Sequence, residues 1–262
     1  MSSPRGQRGI QSIEVGGALL QALVDAGTAL PLRDLARRAG MSSAKAHPYL
    51  VSFGKLGLIE QDALTGHYTL GPYALALGLS SLTLRSPLRI AIPAIAALAE
   101  EIGHTVAIAV LGSHGPTIVY ITESARAIHV NMRAGTVMST VNTATGRVFL
   151  AYLPEKIAQH HLARERDDPR VTAQEAGKRS KTELATIVAE VREHGLARAV
   201  GAPIPGINAL SAPVFDHMGA IAMAVTTLGP AGSFDPDWEG LLAGAVRSCA
   251  QDVSRKLGYA PR

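Results

Sequence analysis

The sequence predicts an α+β protein whose two domains are joined by helices. Near the N-terminus, three short segments with the apolar spacing of amphipathic helices precede two strand-like runs. From about residue 104, strand-like segments occur in pairs between separate helices, which argues against a doubly wound parallel sheet. The 262 residues, of which 47% are hydrophobic, are enough to bury two modest cores.

Composition excludes several classes of protein. Cys249 is the single cysteine, so the chain has neither an internal disulfide nor a zinc site built from several cysteines. No stretch of about 18 uncharged apolar residues occurs and no apolar signal core follows the first residues, so we expect a cytoplasmic protein without membrane contact. The net charge of +4 is divided equally: residues 1–80 carry seven Lys/Arg and five Asp/Glu, and residues 81–262 carry eighteen and sixteen. Charge alone therefore does not choose between nucleic acid and a small anion as the partner.

The first predicted helix covers residues 12–25 (SIEVGGALLQALVD), and Ser12 is its expected cap. The adjacent Gly16 and Gly17 weaken a helix, but they would let another helix approach closely. The expected buried face consists of four residues at helical spacing: Ile13, Gly17, Leu20 and Val24.

Two further helices follow, separated by a short step. The second is LRDLARRAG (32–40), whose leucines face inward, whose arginines face outward, and which ends at Gly40. The third begins after the cap residue Ser42 and continues an apolar stripe through Ala46, Leu50 and Phe53.

Pro48 lies inside this third helix, where a proline costs about 3 kcal/mol or more. It lacks the N–H that would bond to the carbonyl of Ala44, and its ring crowds that carbonyl. Because the apolar stripe continues through it, the pattern favours one kinked helix. The alternative is a helix restarted with His47 as cap and Pro48 in its first turn. Either arrangement would change the angle of the exposed turn.

Two strand-like runs complete the N-terminal part: KLGLIEQ (55–61) and HYTLGP (67–72), bridged by residues 62–66. Three helices followed by a hairpin with a polar tip are the order of a winged helix-turn-helix. In that fold the N-terminal residues of the third helix contact base edges, and the preceding helix lies near the backbone. The pattern therefore predicts a DNA-binding head.

The candidate DNA contacts follow from this geometry. The exposed residues expected to approach base edges are Ser42, Ser43, Lys45, His47 and Tyr49. Arg37, Arg38 and Lys55 are better placed for phosphates, and His67 for a flanking phosphate or the minor groove. The alternative for each residue is a solvated polar position on a helical face.

The rest of the chain alternates helices and paired strands. Residues 72–84 and 87–102 predict helices, the second with Ser86 as cap and Pro87 in its first turn. The later predicted elements are strands at 104–112 and 117–124, helices at 142–153, 154–165 and 180–195, a hairpin of 209–216 and 220–229, and a helix at 236–257. The helix at 180–195 carries a capping box of Ser180 and Glu183.

Over almost its whole length the chain resembles the IclR (isocitrate-lyase-regulator) family of bacterial transcription factors. Four segments carry the resemblance by their order and spacing: LRDLARRAGMSSAKAHPYL (32–50), KLGLIEQDALTGHYTLGP (55–72), TATGRVFLAYLP (143–154) and APVFDHMGAIAMAV (212–225). The resemblance implies a winged helix-turn-helix domain at 1–71, a dimerising helical linker at 72–86, and a GAF-like effector-binding domain with a curved antiparallel sheet at 87–262. It also implies a ligand-responsive regulator of a catabolic operon that binds double-stranded operator DNA as a homodimer or a dimer of dimers.

The resemblance also implies where an effector binds. The family's ligand cavity lies between the sheet and the helix of TATGRVFL, whose first N–H groups suit a carboxylate. The positions that match or neighbour the family's ligand contacts are Asn142, Thr143, Ala144, Thr145, Ala199, Ile207, Asn208, Ala209 and Ser211. Many family members carry Asp and Cys where this chain has Ala199 and Ala209. That departure predicts a wider, more apolar pocket and a larger organic acid, such as an aromatic one. The alternative is that these residues only cap the helix and pack a core.

Other functions are disfavoured by the residues present. Ser211, His194 and Asp216 are the residue types of a hydrolase triad, but no nucleophile-elbow glycine pattern surrounds Ser211. His160 and His161 are adjacent and point in different directions on a helix, so we expect no metal site, and no cofactor-binding motif is present. The competing hypotheses are a small-molecule-binding enzyme with an accessory winged helix, and a winged helix used only for protein contacts.

Overall fold

A computed structural model describes residues 9–84, 86–123, 132–166 and 180–261 of the chain. The chain divides into two compact units, Met1–Arg85 and Ser86–Arg262, each with its own core. None of the helices within the described ranges is both long enough and apolar enough to cross a membrane.

The N-terminal unit is a winged helix-turn-helix, as the sequence predicts. Its elements are α1 (Gln11–Ala26), α2 (Leu32–Arg38), α3 (Ser43–Lys55), β1 (Ile59–Gln61), β2 (Tyr68–Leu70) and α4 (Pro72–Leu84). The turn between α2 and α3 passes through Gly40, whose φ of 68° is in the left-handed region that favours glycine. β1 and β2 form the antiparallel hairpin of the wing.

The buried face of α1 differs from the predicted one. Ile13 is 67% exposed and Val24 is 57% exposed, whereas Leu19 and Leu23 are buried. The face is set by Gly16, which lies against the aromatic rings of α3. The predicted cap is also wrong: Ile10 precedes the first turn without a side-chain hydrogen bond, because the helix begins one residue before Ser12.

α3 is one uninterrupted helix, so the alternative of a restart at His47 is wrong. Its cap is the predicted Ser42, whose hydroxyl accepts a hydrogen bond of 3.3 Å from the N–H of Lys45. Ala46 and Leu50, on either side of Pro48, are both buried in the core of the unit. Burial of this stripe and the cap together stabilise a helix that the proline alone would break.

The C-terminal unit is an α+β domain built on one antiparallel sheet. Its elements are α5 (Pro87–Ile102), β3 (Thr105–Gly112), β4 (Gly115–Thr122), α6 (Ala144–Tyr152), α7 (Glu155–Arg166), α8 (Lys181–His194), β5 (Ala197–Val200), β6 (Ile207–Phe215), β7 (Ile221–Pro230) and α9 (Leu241–Lys256). The five strands lie in the order β4-β3-β7-β6-β5. The edge strand β5 has no counterpart in the sequence prediction, and α9 begins at Leu241 rather than at residue 236.

The two faces of this sheet are covered by different helices and carry different side chains. One face packs against α5 and α9 through branched residues such as Ile108, Leu210 and Val225. The opposite face packs against α6 and α8 through small residues such as Ala109 and Ala224. Because small side chains let a helix approach closely, α6 lies directly on the sheet.

Candidate DNA-reading helix and effector site

The polar residues at the start of α3 differ in how far they are exposed. Lys45 and His47 are exposed, and Ser42 is exposed while serving as the cap. Ser43 is half-buried. The side chains of Lys45 and His47 are therefore exposed, and their contact with DNA stays a prediction.

Tyr49 is less exposed than predicted. It is half-buried and packs against the core of the N-terminal unit. A Cβ placed on Gly16 of α1 would lie only 2.9 Å from Cδ1 of Tyr49, so this ring contacts the backbone of α1. Tyr49 thus lies at the border between the core of the unit and the exposed face of α3.

Cations are exposed along α2 and at the end of α3. Arg37 forms an ion pair of 2.9 Å with Asp34, but its side chain is still 72% exposed. Arg38 and Lys55 are also exposed. An exposed pair of this kind contributes little to stability and leaves the guanidinium free to reorient towards a phosphate.

The tip of the wing is held in a fixed conformation by Asp62. Its carboxylate accepts hydrogen bonds from the N–H of Thr65 at 2.7 Å, the hydroxyl of Thr65 at 2.8 Å and the N–H of Leu64 at 3.0 Å. These hydrogen bonds, above all the one from the backbone N–H of Thr65, lower the pKa of Asp62 below its ordinary value. His67, half-buried, accepts a 2.8 Å bond from the N–H of Asp62 at its carbonyl oxygen.

In the C-terminal unit, the first turn of α6 lies over the sheet and is capped by Thr143. The hydroxyl of Thr143 accepts from the N–H of Gly146 at 2.9 Å and donates to the carbonyl of Ser139 at 2.7 Å. Neither Ala144 nor Thr145 has a hydrogen-bond partner for its backbone N–H among the described residues, although both residues are buried. Two aligned donors at a helix N-terminus suit an anion.

A chain of buried hydroxyl groups joins α6 to the sheet. Thr145 Oγ1 lies 2.9 Å from Thr226 Oγ1, which lies 2.8 Å from Ser211 Oγ. Sequence reasoning missed Thr226, which is central to this chain. The available signal was the adjacent pair Thr226 and Thr227 in an apolar strand. The sequence does not say which of these two residues points towards α6, because that depends on the strand register.

The remaining predicted effector residues do not all lie on one face. Ala199 and Ala209 are opposite each other on β5 and β6, and Ile207 precedes Ala209 by one strand period. Asn208 points to the other face, where its amide donates to the carbonyl of Phe234 at 3.2 Å and accepts from the N–H of Gly201 at 3.0 Å. Grouping Asn208 with its neighbours ignored strand alternation, because side chains at successive positions point to opposite faces.

The loop before α6 is fixed from several sides. Glu165 of α7 accepts from the hydroxyl of Ser139, and it accepts from the N–H of Thr140 at 2.7 Å. The N–H of Asn142 donates to Ser139 Oγ at 3.0 Å.

A second set of contacts comes from Arg147 of α6. Its side chain donates to the carbonyl of Val141 at 2.8 Å and to that of Arg198 on β5 at 2.7 Å. The α6 N-terminus is therefore positioned by contacts from α7 and β5.

Two reactive side chains of the C-terminal unit, Cys249 and His194, pack against neighbouring residues. Burial raises the pKa of the Cys249 thiol to about 11, so this thiol is protonated at neutral pH and is a poor nucleophile. The imidazole of His194 stacks on Trp238 with ring centroids 4.2 Å apart. Among the described residues, no three His, Cys, Asp or Glu side chains are grouped as metal ligands.

Comparison with known families accounts for both units. Residues 12–63 match the IclR helix-turn-helix domain, and residues 79–255 match the bacterial transcriptional regulator IclR C-terminal domain. The glycerol operon regulatory protein of Streptomyces coelicolor is 31% identical over 257 residues, which cover 96% of this chain and 98% of that protein. The transcriptional repressor IclR of Escherichia coli is 26% identical over 95% of this chain and 90% of its own length.

Solved structures show the same fold. The crystal structure of Pseudomonas aeruginosa HmgR is 33% identical and superposes with a TM-score of 0.86, covering 97% of this chain and all of that one. The Agobacterium tumefaciens repressor BlcR superposes with a TM-score of 0.80 over 97% of this chain at 20% identity, which shows the fold alone. These matches agree with the winged helix-turn-helix and the α+β domain of the structure. They show that the chain belongs to the IclR family and is a ligand-responsive, DNA-binding transcriptional regulator rather than an enzyme.

Proposed function

We propose that this regulator binds a palindromic double-stranded operator as a homodimer or a dimer of dimers, and that a small organic acid bound at α6 changes its DNA affinity. The observation that carries the effector assignment is the pair of buried, unpartnered N–H groups of Ala144 and Thr145 among the described residues. A carboxylate is a suitable partner for these donors, because the helix dipole and the N–H groups both favour negative charge.

The chemistry around these donors favours an acid with an apolar body. Ala199 and Ala209 face each other across β5 and β6 and offer no polar group. The hydroxyl chain of Thr145, Thr226 and Ser211 supplies the polar side chains on this face. We therefore favour an aromatic acid over glyoxylate or pyruvate as the effector, which would control a catabolic operon for such a compound.

Calorimetric titration tests the effector class. Benzoate and phenylacetate are expected to bind, pyruvate and glyoxylate to bind more weakly, and benzyl alcohol not to bind, because it lacks the carboxylate. Binding of the acid and binding of the operator are linked. The factor by which the acid changes the protein's affinity for the operator equals the factor by which the operator changes the protein's affinity for the acid. If no acid binds and none alters DNA release, the α6 turn is only a capped helix start and the effector proposal is wrong.

For DNA, we propose that Lys45 and His47 contact base edges, with Arg37, Arg38 and Lys55 on phosphates and His67 at the wing. Ser42, Ser43 and Tyr49 support the start of α3, and their polar groups lie at the edge of the interface. Support comes from the exposure of Lys45 and of the three phosphate candidates.

Substitution Lys45→Ala is expected to weaken binding to a duplex selected from a random pool by roughly 5- to 150-fold, the effect of losing a specific base contact. Binding to random duplex should weaken much less, since phosphate contacts carry no sequence information. Mobility-shift titrations measure both affinities. Lys156→Ala, which removes the same charge from an exposed position on α7, is the control and should change neither. Equal weakening of both duplexes by Lys45→Ala would refute the base-reading role.

Dimerisation is supported by α4, which has no charged residue over Pro72–Leu84. Leu75 is 65% exposed, Tyr73 is 50% exposed and Leu77 is 48% exposed. An uncharged helix with several large apolar side chains exposed needs a partner surface, and a second copy of this helix is the one we propose.

Leu75→Glu is expected to shift the protein from dimer or tetramer to monomer in sedimentation equilibrium, because it would bury a charge in the proposed interface. Ala185→Glu, at an exposed position on α8, introduces the same side chain elsewhere and should leave the assembly unchanged. A wild-type protein that is monomeric at micromolar concentration would contradict the proposal.

A further inference from the structure

The outward face of α3 carries a row of apolar residues as well as polar ones. Successive helical residues are rotated by about 100° around the axis. With Ala46 and Leu50 buried, the direction opposite to the core falls at Pro48, and Ala44 and Val51 lie within about 60° of it. Lys45 and His47 lie on the two flanks of this direction.

These three residues are open to a partner. Ala44 and Pro48 are exposed, and Val51 is 43% exposed. They form a continuous strip, defined here as the apolar strip of α3, spaced by four and three residues along one uninterrupted helix. None of the three side chains can donate or accept a hydrogen bond.

The polar neighbour on this face is already engaged within the helix. The hydroxyl of Ser52 donates a hydrogen bond of 3.0 Å to the carbonyl of Pro48, so its proton is not available to a base. Lys55, four residues after Val51, continues the strip at its C-terminal end, Lys45 lies on one side of it, and both lysines are exposed. A strip of this kind, flanked by cations, is suited to a partner that is anionic along its edges and apolar between them.

In the major groove, the apolar group exposed on a base edge is the C5-methyl of thymine. We infer that the apolar strip of α3 reads thymine methyl groups, so that sequence specificity depends on two or three thymines in each half-site and not only on hydrogen bonds from Lys45 and His47. This inference rests on the proposed entry of α3 into the major groove. It makes Ala44, Pro48 and Val51 specificity-determining residues.

The sharpest test replaces thymine by deoxyuridine, which removes the methyl group and leaves base pairing intact. A duplex is first selected from a random pool with the wild-type protein, and each thymine is then replaced singly. At a contacted position the affinity is expected to fall about fourfold, the factor that ~0.8 kcal/mol per buried CH₂ corresponds to at 25 °C. Thymines outside the contacted positions serve as internal controls and should show no change.

A protein variant locates the contact. In Val51→Ala, the deoxyuridine penalty at one position should disappear, since the methyl group has then lost its partner. Val137→Ala, at a position of similar exposure (44%) in the C-terminal unit, should keep the whole penalty.

The outcomes separate this inference from the proposed function. If the wild type enriches no duplex, the proposed operator binding and this inference fail together. If it enriches a duplex but no deoxyuridine position costs as much as twofold, α3 still binds DNA and only the methyl-reading inference is overturned.

Discussion

Replacing Gly146 by alanine is expected to lower the free energy of unfolding of the C-terminal unit by about 3 kcal/mol, the upper end of the usual cost of overpacking. A Cβ at this position would lie 2.0 Å from the carbonyl oxygen of Ser139 and 2.5 Å from Cα of Thr140. Both are backbone atoms, so no change of rotamer can relieve the clash. Either α6 or the loop before it must move.

The loop cannot move cheaply because several hydrogen bonds fix it. The carbonyl of Ser139 that the new methyl would strike is the same group that accepts from Thr143 Oγ1. The N–H of Thr140 is held at 2.7 Å by Glu165. Moving the loop would therefore remove the cap of α6 and displace the two donors proposed for the effector, so effector affinity should be lost together with stability.

Urea unfolding followed by circular dichroism measures the effect on stability. Gly244→Ala on α9 is the matched control, because a Cβ there meets no atom within 4 Å. That substitution should stabilise the protein by about 0.5–1 kcal/mol, the usual gain of alanine over glycine inside a helix. A Gly146→Ala protein as stable as the wild type would mean that the contact between the loop and α6 is looser than the structure shows.

The elements that the sequence predicted well are those with local signals at both ends. α8 begins directly after the capping box residue Ser180, whose partner is Glu183, and ends directly before the left-handed Gly195. Pro87 likewise marks the start of α5, although the N-cap residue Ser86 makes no side-chain capping hydrogen bond. Caps and stops depend only on residues close in the chain, so they can be identified without knowing the tertiary structure.

The predictions that failed had different causes, some distant in the chain and some local. Periodicity in α1 is satisfied by more than one stripe, and the choice is made by close packing of Gly16 on α3. At the effector site, Asn208 and Ser211 were grouped together, but they are three residues apart on β6, so side-chain alternation places them on opposite faces of the sheet. The start of α9 moved to Leu241 because Asp235 and Asp237 form successive side-chain turns with the N–H groups of Asp237 and Glu239 instead of opening a helix.

Pro48 shows how tertiary structure overrides propensity. A proline inside a helix costs about 3 kcal/mol or more, and α3 nevertheless continues through it, with Ala46 and Leu50 buried on either side. The predicted stripe of Ala46 and Leu50 is the buried one, so the apolar ring of Pro48 lies on the exposed face opposite to it.

The close contact between α1 and α3 leads to the second large effect, Gly16→Ala. A Cβ on Gly16 would lie 2.9 Å from Cζ of Phe53 and 2.9 Å from Cδ1 of Tyr49. The rings can tilt but are half-buried, so we expect the N-terminal unit to lose about 1–3 kcal/mol of stability. The same rings hold α3 against α1, so the substitution should also change the orientation of α3 and lower the affinity for a selected duplex.

The neighbouring glycine provides the control, since both substitutions add one methyl group to the same turn of the same helix. A Cβ on Gly17 meets no atom within 4 Å, so Gly17→Ala should stabilise the unit by about 0.5–1 kcal/mol through helix propensity alone. Thermal unfolding and mobility-shift titrations of the two variants therefore separate packing from propensity. If both variants are stabilised equally, close packing of Gly16 against Tyr49 and Phe53 does not determine how α3 packs on α1. If only Gly16→Ala is destabilised and loses its preference for the selected duplex, the orientation of the reading helix depends on this one contact between backbone and aromatic rings.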